Sequence, residues 1–185
     1  MNWTYLLFAY FIFISCVEKP IVINLQEDAN SIEIKSRLLN YNHQLFTGEL
    51  IDFYDTPTNS KPKLSCFYKE GEKHGIELKW HENGTINTKR IYKNNIKIGI
   101  HKAWWENGNP KFEYHFNDSG AYTGVLKEWF QTGQPYRFFN YENGREEGSQ
   151  KMWKPNGAIQ ANYVIVNGER FGLIGLKTCD PVSTK

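Results

Sequence analysis

Gly75-Ile76-Glu77-Leu78-Lys79-Trp80-His81-Glu82-Asn83-Gly84 is the stretch from which the rest of the chain can be read. Its landmarks recur: Gly75, Gly99, Gly124 and Gly148 stand about 24 residues apart, Trp80, Trp104, Trp129 and Trp153 each follow five places later, and Gly172 continues the series. A second glycine comes nine places on, at Gly84, Gly108, Gly133 and Gly157, preceded by Asn83, Asn107, Thr132 and Asn156. Four places before each repeat glycine stands Gly71, Asn95, Gly120, Gly144 or Gly168. Asn95 fits that series because Asn tolerates the left-handed backbone that glycine usually occupies. A fixed period of this length marks one supersecondary unit stacked on copies of itself.

Between the turns lie six to eight residues rich in Ile, Tyr, Phe and Trp, too short for a helix and bounded by Gly and Asn. Each copy therefore reads as a β-hairpin. An earlier copy starts at Gly48, with Phe53 in the tryptophan position and a longer turn from Asp55 to Pro62, and a half copy, Tyr41 to Leu45, precedes it. The expected architecture is all-β: an elongated single-layer antiparallel sheet of stacked β-hairpin repeats.

A three-residue loop, Glu82-Asn83-Gly84, sets Trp80 opposite Ile86 and, by repetition, Trp153 opposite Ile159. A two-residue Asn-Gly turn instead sets each tryptophan opposite Asn87, Lys111, Tyr136 or Gln160. The first register keeps more of the apolar set on one face and is the one expected. On that face Tyr92, Phe112, Tyr114, Phe116, Phe139, Tyr141, Tyr163 and Ile165 join the tryptophans, Ile86 and Ile159 in an aromatic ladder, read as the buried core. The opposite face carries Glu77, Lys79, Lys89, Lys111 and Glu113 as exposed positions. In its middle it turns apolar: Trp105, Leu126, Phe130, Tyr136 and Phe138, with Met152 beside them and Leu126 opposing Phe138. An apolar patch rimmed by charge reads as a surface for a protein partner. It reads equally as a second small core, covered by curling of the sheet or by Phe171 to Leu176 folding back.

The quoted stretch and Tyr141-Glu142-Asn143-Gly144-Arg145-Glu146-Glu147-Gly148 resemble the bacterial variant of the MORN repeat, found in the YwqK-like family of antitoxins. The resemblance spans roughly Tyr41 to Leu176; the long first turn, Asn95, Gln131 and Thr132 depart from it. It implies a binding role rather than catalysis, with a toxin as the first partner to consider and an antitoxin or immunity purpose. The association of MORN arrays with membranes implies the alternative, an envelope structural or membrane-lipid-contacting protein.

Trp3 to Val17 carries no charge and is dominated by Leu, Phe, Ile and Tyr. It is shorter than the ~20 residues a membrane-spanning helix needs, and reads as a secretory signal over residues 1–15. Its end, Phe13-Ile14-Ser15-Cys16, is similar to a bacterial lipoprotein cleavage box, so Cys16 is the expected lipidation site. An uncleaved signal anchor and a plainly secreted chain are the other readings. Residues 16–40 then form a lipid tether and lead-in strand, with the alternating Ile32 to Leu38 placed to cover the first sheet edge. The array occupies 41–176 and a flexible tail 177–185. The expected location is the bacterial cell envelope, outside the cytoplasm and membrane-anchored. Cys66 and Cys179 are expected as unpaired thiols, because about nine strand spacings of ~4.8 Å separate them, well beyond the ~7 Å that a disulfide allows.

A formal net charge of +2 is too mild to imply nucleic acid. The five histidines, His43, His74, His81, His101 and His115, lack metal-ligand spacing and read as solvated strand residues. No Cys-x-x-Cys, His-Glu-x-x-His or Gly-x-Ser-x-Gly occurs, and the glycines are spaced as turns rather than as a phosphate loop. The expectation is a protein without catalytic residues, metal or cofactor.

Overall fold

The computed structural model describes residues 20–54 and 61–175. The signal reading over 1–15, Cys16, Cys179, the tail 177–185 and most of the long first turn fall outside the described residues. Apart from a short 3-10 turn, Ala29–Ser31, the regular elements are all strands. In chain order they are β1 Ile21–Asn24, β2 Ile32–Lys35, β3 Leu38–Tyr41, β4 Gln44–Leu45, β5 Gly48–Tyr54, β6 Lys61–Lys69, β7 Glu72–Trp80 and β8 Ile86–Lys93. There follow β9 Ile96–Lys97, β10 Gly99–Trp104, β11 Pro110–Phe116, β12 Gly124–Trp129, β13 Pro135–Glu142, β14 Arg145–Trp153, β15 Ile159–Val166 and β16 Glu169–Leu173.

A 13-stranded sheet runs in the order β1-β5-β6-β7-β8-β10-β11-β12-β13-β14-β15-β16, with β9 beside β8. From β5 onward sequence neighbours are thus sheet neighbours, as stacked hairpins require, except that the short β9 and the β10 after it both pair with β8. Strand β1 is the exception: it pairs in parallel with β5, Ile21 opposite Gly48. Strands β2, β3 and β4 form a second, small sheet. The expectation that Ile32 to Leu38 covers the first edge is therefore corrected, because Ile21–Asn24 takes that edge. The small sheet instead brings Leu39, with Phe46 just after it, onto Ile23 and Leu50, so this end of the sheet is double-layered and has a closed core. At the other end β16 is exposed at all five residues and pairs with β15, with no folding back over the middle of the sheet by Phe171 to Gly175.

The turn is the three-residue kind. His81 N donates to Thr85 O at 2.8 Å and Gly84 N to His81 O at 2.9 Å, with Gly84 in the left-handed region at φ +88°. The same bond pair recurs from Trp105, Phe130 and Lys154. Trp80 faces Ile86 and Trp153 faces Ile159, as expected. One step further in, the register shifts: Lys79 faces Thr88, Ala103 faces Phe112, Glu128 faces Arg137 and Met152 faces Ala161. Asn87, Lys111, Tyr136 and Gln160 are left over as one-residue bulges. The body of every hairpin therefore follows the register of the two-residue turn, and only the tip follows the other.

A one-residue slip moves a side chain to the opposite face, so the bulge corrects the assignment of faces. Tyr92, Phe112, Tyr114, Phe116, Phe139, Tyr141, Tyr163 and Ile165 do share one face, but the tryptophans lie on the other. Trp129 and Trp153 there flank Phe138 at ring-centroid distances of 5.6 and 5.2 Å. Glu77, Lys79 and Lys111, expected opposite the ladder, lie on its face. On the ladder face the rings run Tyr92, His101, Phe116, Tyr122, Tyr141 with centroids 5.6, 4.6, 4.8 and 5.5 Å apart. Burying one such ring stabilises by about 1.5–3 kcal/mol.

The ladder is interrupted by buried polar side chains at one repeat position, two places after the repeat glycine. Glu77, His101 and Gln150 stand there, at 1%, 2% and 0% exposure, while the copy that starts at Gly124 uses Leu126. Glu77 was expected to be exposed; Lys73 and Arg90 hold its charge inside. His101, expected to be solvated, has Nε2 2.8 Å from Ile91 O and 3.1 Å from Ile91 N. Burial, only partly offset by the backbone bond to Ile91, pulls the imidazole below its ordinary value of 6.5, and Arg90 and Lys97 add to the shift. The folded ring therefore stays neutral where the unfolded one takes up a proton. Stability is complete above pH 6.5 and falls as the pH drops below it. The midpoint of urea unfolding is expected to decrease between about pH 7 and 5.5, and H101Q should remove that part of the slope. An unchanged slope in the variant would assign it to another group.

Candidate functional site

The residue after each tryptophan and the bulge residue opposite it both turn to the ladder face, where they meet across the hairpin tip. In the first copy Lys63 Nζ lies over the Tyr54 ring at 5.8 Å. In the next, Asn87 Nδ2 meets His81 Nδ1 at 3.1 Å. Lys111 Nζ lies over the Trp105 ring at 4.4 Å, and Phe130 packs on Tyr136 with centroids 5.1 Å apart. These pairs form a row along one rim, and two consecutive copies make it aromatic.

In the first three pairs the member after the tryptophan position also ties one copy to the next. Tyr54 Oη donates to Trp80 O at 2.9 Å, His81 Nε2 to Trp104 O at 3.0 Å and Trp105 Nε1 to Trp129 O at 3.2 Å. Asn83 and Asn107 do likewise at the turns, donating to Glu106 O and Gln131 O at 3.0 and 2.9 Å. Phe130 and Thr132 occupy the same two positions one copy later. Phe130 has no donor to give. Its ring stands where the preceding copies place a structural hydrogen bond.

Trp105, Phe130 and Tyr136 line one open cavity of about 390 Å³ together with Lys111, Phe112, Tyr114, Glu128 and Gln131. Phe112 and Tyr114 stack at 4.3 Å and form one wall. Glu128 accepts from the Tyr114 hydroxyl and from Arg137 Nη2, the latter at 2.7 Å. Burial first, then the bond to Glu128, pushes the Tyr114 hydroxyl well above its ordinary value, so it remains a phenol. Tyr114, Glu128 and Arg137 are thus bound to one another.

The apolar patch read from the sequence divides accordingly. Trp105, Phe130 and Tyr136 are brought together. Leu126 shares their face but is buried in the ladder at 8% exposure, opposite Phe139 rather than Phe138. Met152 also lies on that face and packs against Ala161, Tyr163 and Ile165. Phe138 is on the other face, between Trp129 and Trp153. The bulge at Tyr136 causes the split. Lys111, Phe112, Tyr114 and Glu128 were missed as neighbours of Trp105 for the same reason. Lining up the copies would have found the pair Trp105 and Lys111, since they stand at the positions of His81 and Asn87.

Among the described residues no three His, Cys, Asp or Glu side chains lie together as metal ligands would. Cys66 is a free, buried thiol pushed up to about 11, chiefly by burial, and is therefore not a thiolate at neutral pH. Glu113 bridges His115, Lys102 and Lys127 on the tryptophan face, and the bonds from His115 and then Lys102 hold its carboxyl at about 2. That carboxylate is an ion-pair hub on the surface.

The family described as the MORN repeat variant matches residues 73–94 and 97–118. The first match covers the β7–β8 hairpin with the turn after it, and the second the β10–β11 hairpin. Among curated proteins none matches this chain. The protein is a repeat protein built of successive hairpins, two of which match this variant.

Proposed function

We propose that this chain is a non-catalytic repeat module that binds another protein on the ladder face, through the rim where Trp105, Phe130 and Tyr136 meet. The observation that carries this reading is the change of use at one repeat position. Tyr54, His81 and Trp105 serve as hydrogen-bond ties between copies, whereas Phe130 abandons the tie and adds an aromatic wall to an open cavity. Half-buried aromatic side chains around a cavity are the usual anchors of protein recognition. The internal pairing of Glu77 supports the absence of catalysis, because Lys73 and Arg90 neutralise this buried carboxylate and it is not held ready for a proton.

The resemblance to MORN-variant antitoxins supports a purpose as an antitoxin or immunity protein whose docking blocks a toxin surface. The apolar run Trp3 to Val17 and the box ending at Cys16 support export and lipid anchoring in the cell envelope.

The test is capture from a bacterial envelope by the full tagged chain. The F130S/Y136S double variant is expected to lower recovery of the partner at least ~10-fold, the scale of losing two hot-spot rings, with the β-sheet circular dichroism spectrum unchanged. Capture that survives both changes would move the docking surface elsewhere. Loss of the sheet spectrum would make the two rings core. In the same preparation C16S should release the chain from the membrane fraction; persistence there would contradict the lipid anchor.

A further inference from the structure

The cavity beside Trp105 is selective in what it leaves unsatisfied. Its carboxylate, Glu128, is consumed by Tyr114 and Arg137, and the indole N–H of Trp105 is consumed by Trp129 O. What remains is ring surface, one ammonium, the Gln131 amide and the Tyr136 hydroxyl. Lys111 is exposed, and among the described residues it has no carboxylate within ion-pair distance; its Nζ rests on the Trp105 face at 4.4 Å instead. Glu106, the acid nearest in sequence to Trp105, lies 3.8 Å from His81 Nδ1. One copy beyond Phe130 along the rim the slot residue is another cation, Lys154.

From this we infer that the cavity takes an apolar side chain of a partner whose adjacent residue is acidic: the ring or branched chain enters between Trp105, Phe130 and Tyr136, and the carboxylate draws Lys111 off the indole into an ion pair. The inference rests on the protein-binding reading and names the chemistry of the bound segment. A sugar would need several hydrogen-bonding groups around it, and the wall leaves only the Gln131 amide and the Tyr136 hydroxyl open beside the ammonium. A cationic ligand would have to displace Lys111 and meet its charge. An acidic neighbour costs neither, because the lysine exchanges a weak cation–π contact for a carboxylate.

The experiment titrates the full chain with three capped dipeptides, N-acetyl-Phe-Glu amide and its Gln and Lys counterparts, reading the Trp105 indole N–H by NMR. The Glu probe should bind about 3–5-fold more tightly than the Gln probe and more tightly still than the Lys probe, with the preference shrinking at 1 M salt, where the Debye length is ~3 Å. K111Q should leave the indole spectrum folded, keep binding of the Gln probe and abolish the Glu preference. Equal affinity for all three probes, a Glu preference that survives K111Q, or a larger indole shift with methyl glucoside or a thymidine dinucleotide would each overturn the inference. The readout is independent of the capture experiment. Selective dipeptide binding without protein capture would sink the functional reading alone, and capture without charge selectivity would sink this one.

Discussion

Q150L is expected to lower the unfolding free energy by about 3 kcal/mol, although it exchanges a polar side chain for an apolar one at a completely buried site. The reason lies in the ladder. Phe139 pairs with Gln150 and Tyr141 with Glu146, so Asn140, between them, faces Val125 in β12 but has no partner residue in β14. Gln150 supplies one: its Oε1 accepts from Asn140 N at 3.1 Å, and its Nε2 donates to Asn140 O at 2.9 Å and to Glu147 O at 3.2 Å. Leucine fills the space and strands a buried N–H and two carbonyls, each costing about 1–3 kcal/mol when unpaired. Q150H should be far milder, because His101 stands against Ile91 as Gln150 stands against Asn140. Urea unfolding monitored by circular dichroism compares the three proteins. A leucine variant as stable as the parent would show that the Asn140 peptide finds water instead.

G48A is expected to be the most damaging exchange among the repeat glycines. A Cβ at position 48 would stand 2.1 Å from Ile21 O and 2.8 Å from the Phe46 ring, on a backbone with φ +155°. The first of these is main chain and cannot rotate away. The parallel β1–β5 pairing, which begins with Ile21 opposite Gly48, must therefore open. Ile23 and Leu50 then lose contact in the closed core they form with Leu39 and Phe46. A loss of about 3–5 kcal/mol follows from the strain and the lost packing together. The control is G84A at a hairpin tip, where φ is +88° and nothing lies within 4 Å, so only the backbone penalty of about 1–2 kcal/mol remains. Hydrogen exchange should show the β1 and β5 amides losing protection in G48A while those of β14 and β15 keep theirs. Undiminished protection in β1 would mean that the parallel strand tolerates the displacement.

The repeat was legible because glycine and tryptophan are spaced by geometry: a left-handed tip residue recurs at Gly84, Gly108, Gly133 and Gly157, and the chain between them has room only for strands. The pairing of Trp80 with Ile86 was legible too, since the loop length fixes it. What lay hidden was the bulge one step inside the tip. Nothing in Asn87, Lys111, Tyr136 or Gln160 as residue types announces it, because an extra residue is a property of two strands compared and not of either alone. Missing it put the repeat tryptophans on the ladder face and Trp105, Leu126, Phe130 and Tyr136 opposite it, the reverse of what is found, and joined them in one patch with Phe138, which does lie opposite the ladder. The buried Glu77, His101 and Gln150 were obscured differently. Their polarity reads as solvent exposure until the unpaired peptides beside them, or a pair of cations, are known. The edge strand at the start was hidden because a parallel partner from the lead-in leaves no alternation beyond four residues of Ile21–Asn24.

The bulge also separates two kinds of variation. Inward of it, side chains must satisfy the ladder of the neighbouring copies, and changes there propagate. Outward of it, the tip residues face their own cross-hairpin partner first, and Tyr54, His81, Trp105, Phe130 and Lys154 show how freely that position has been rewritten. The scaffold thus behaves as a rack with exchangeable heads: a new recognition surface can arise one copy at a time, while the rack itself stays as it was.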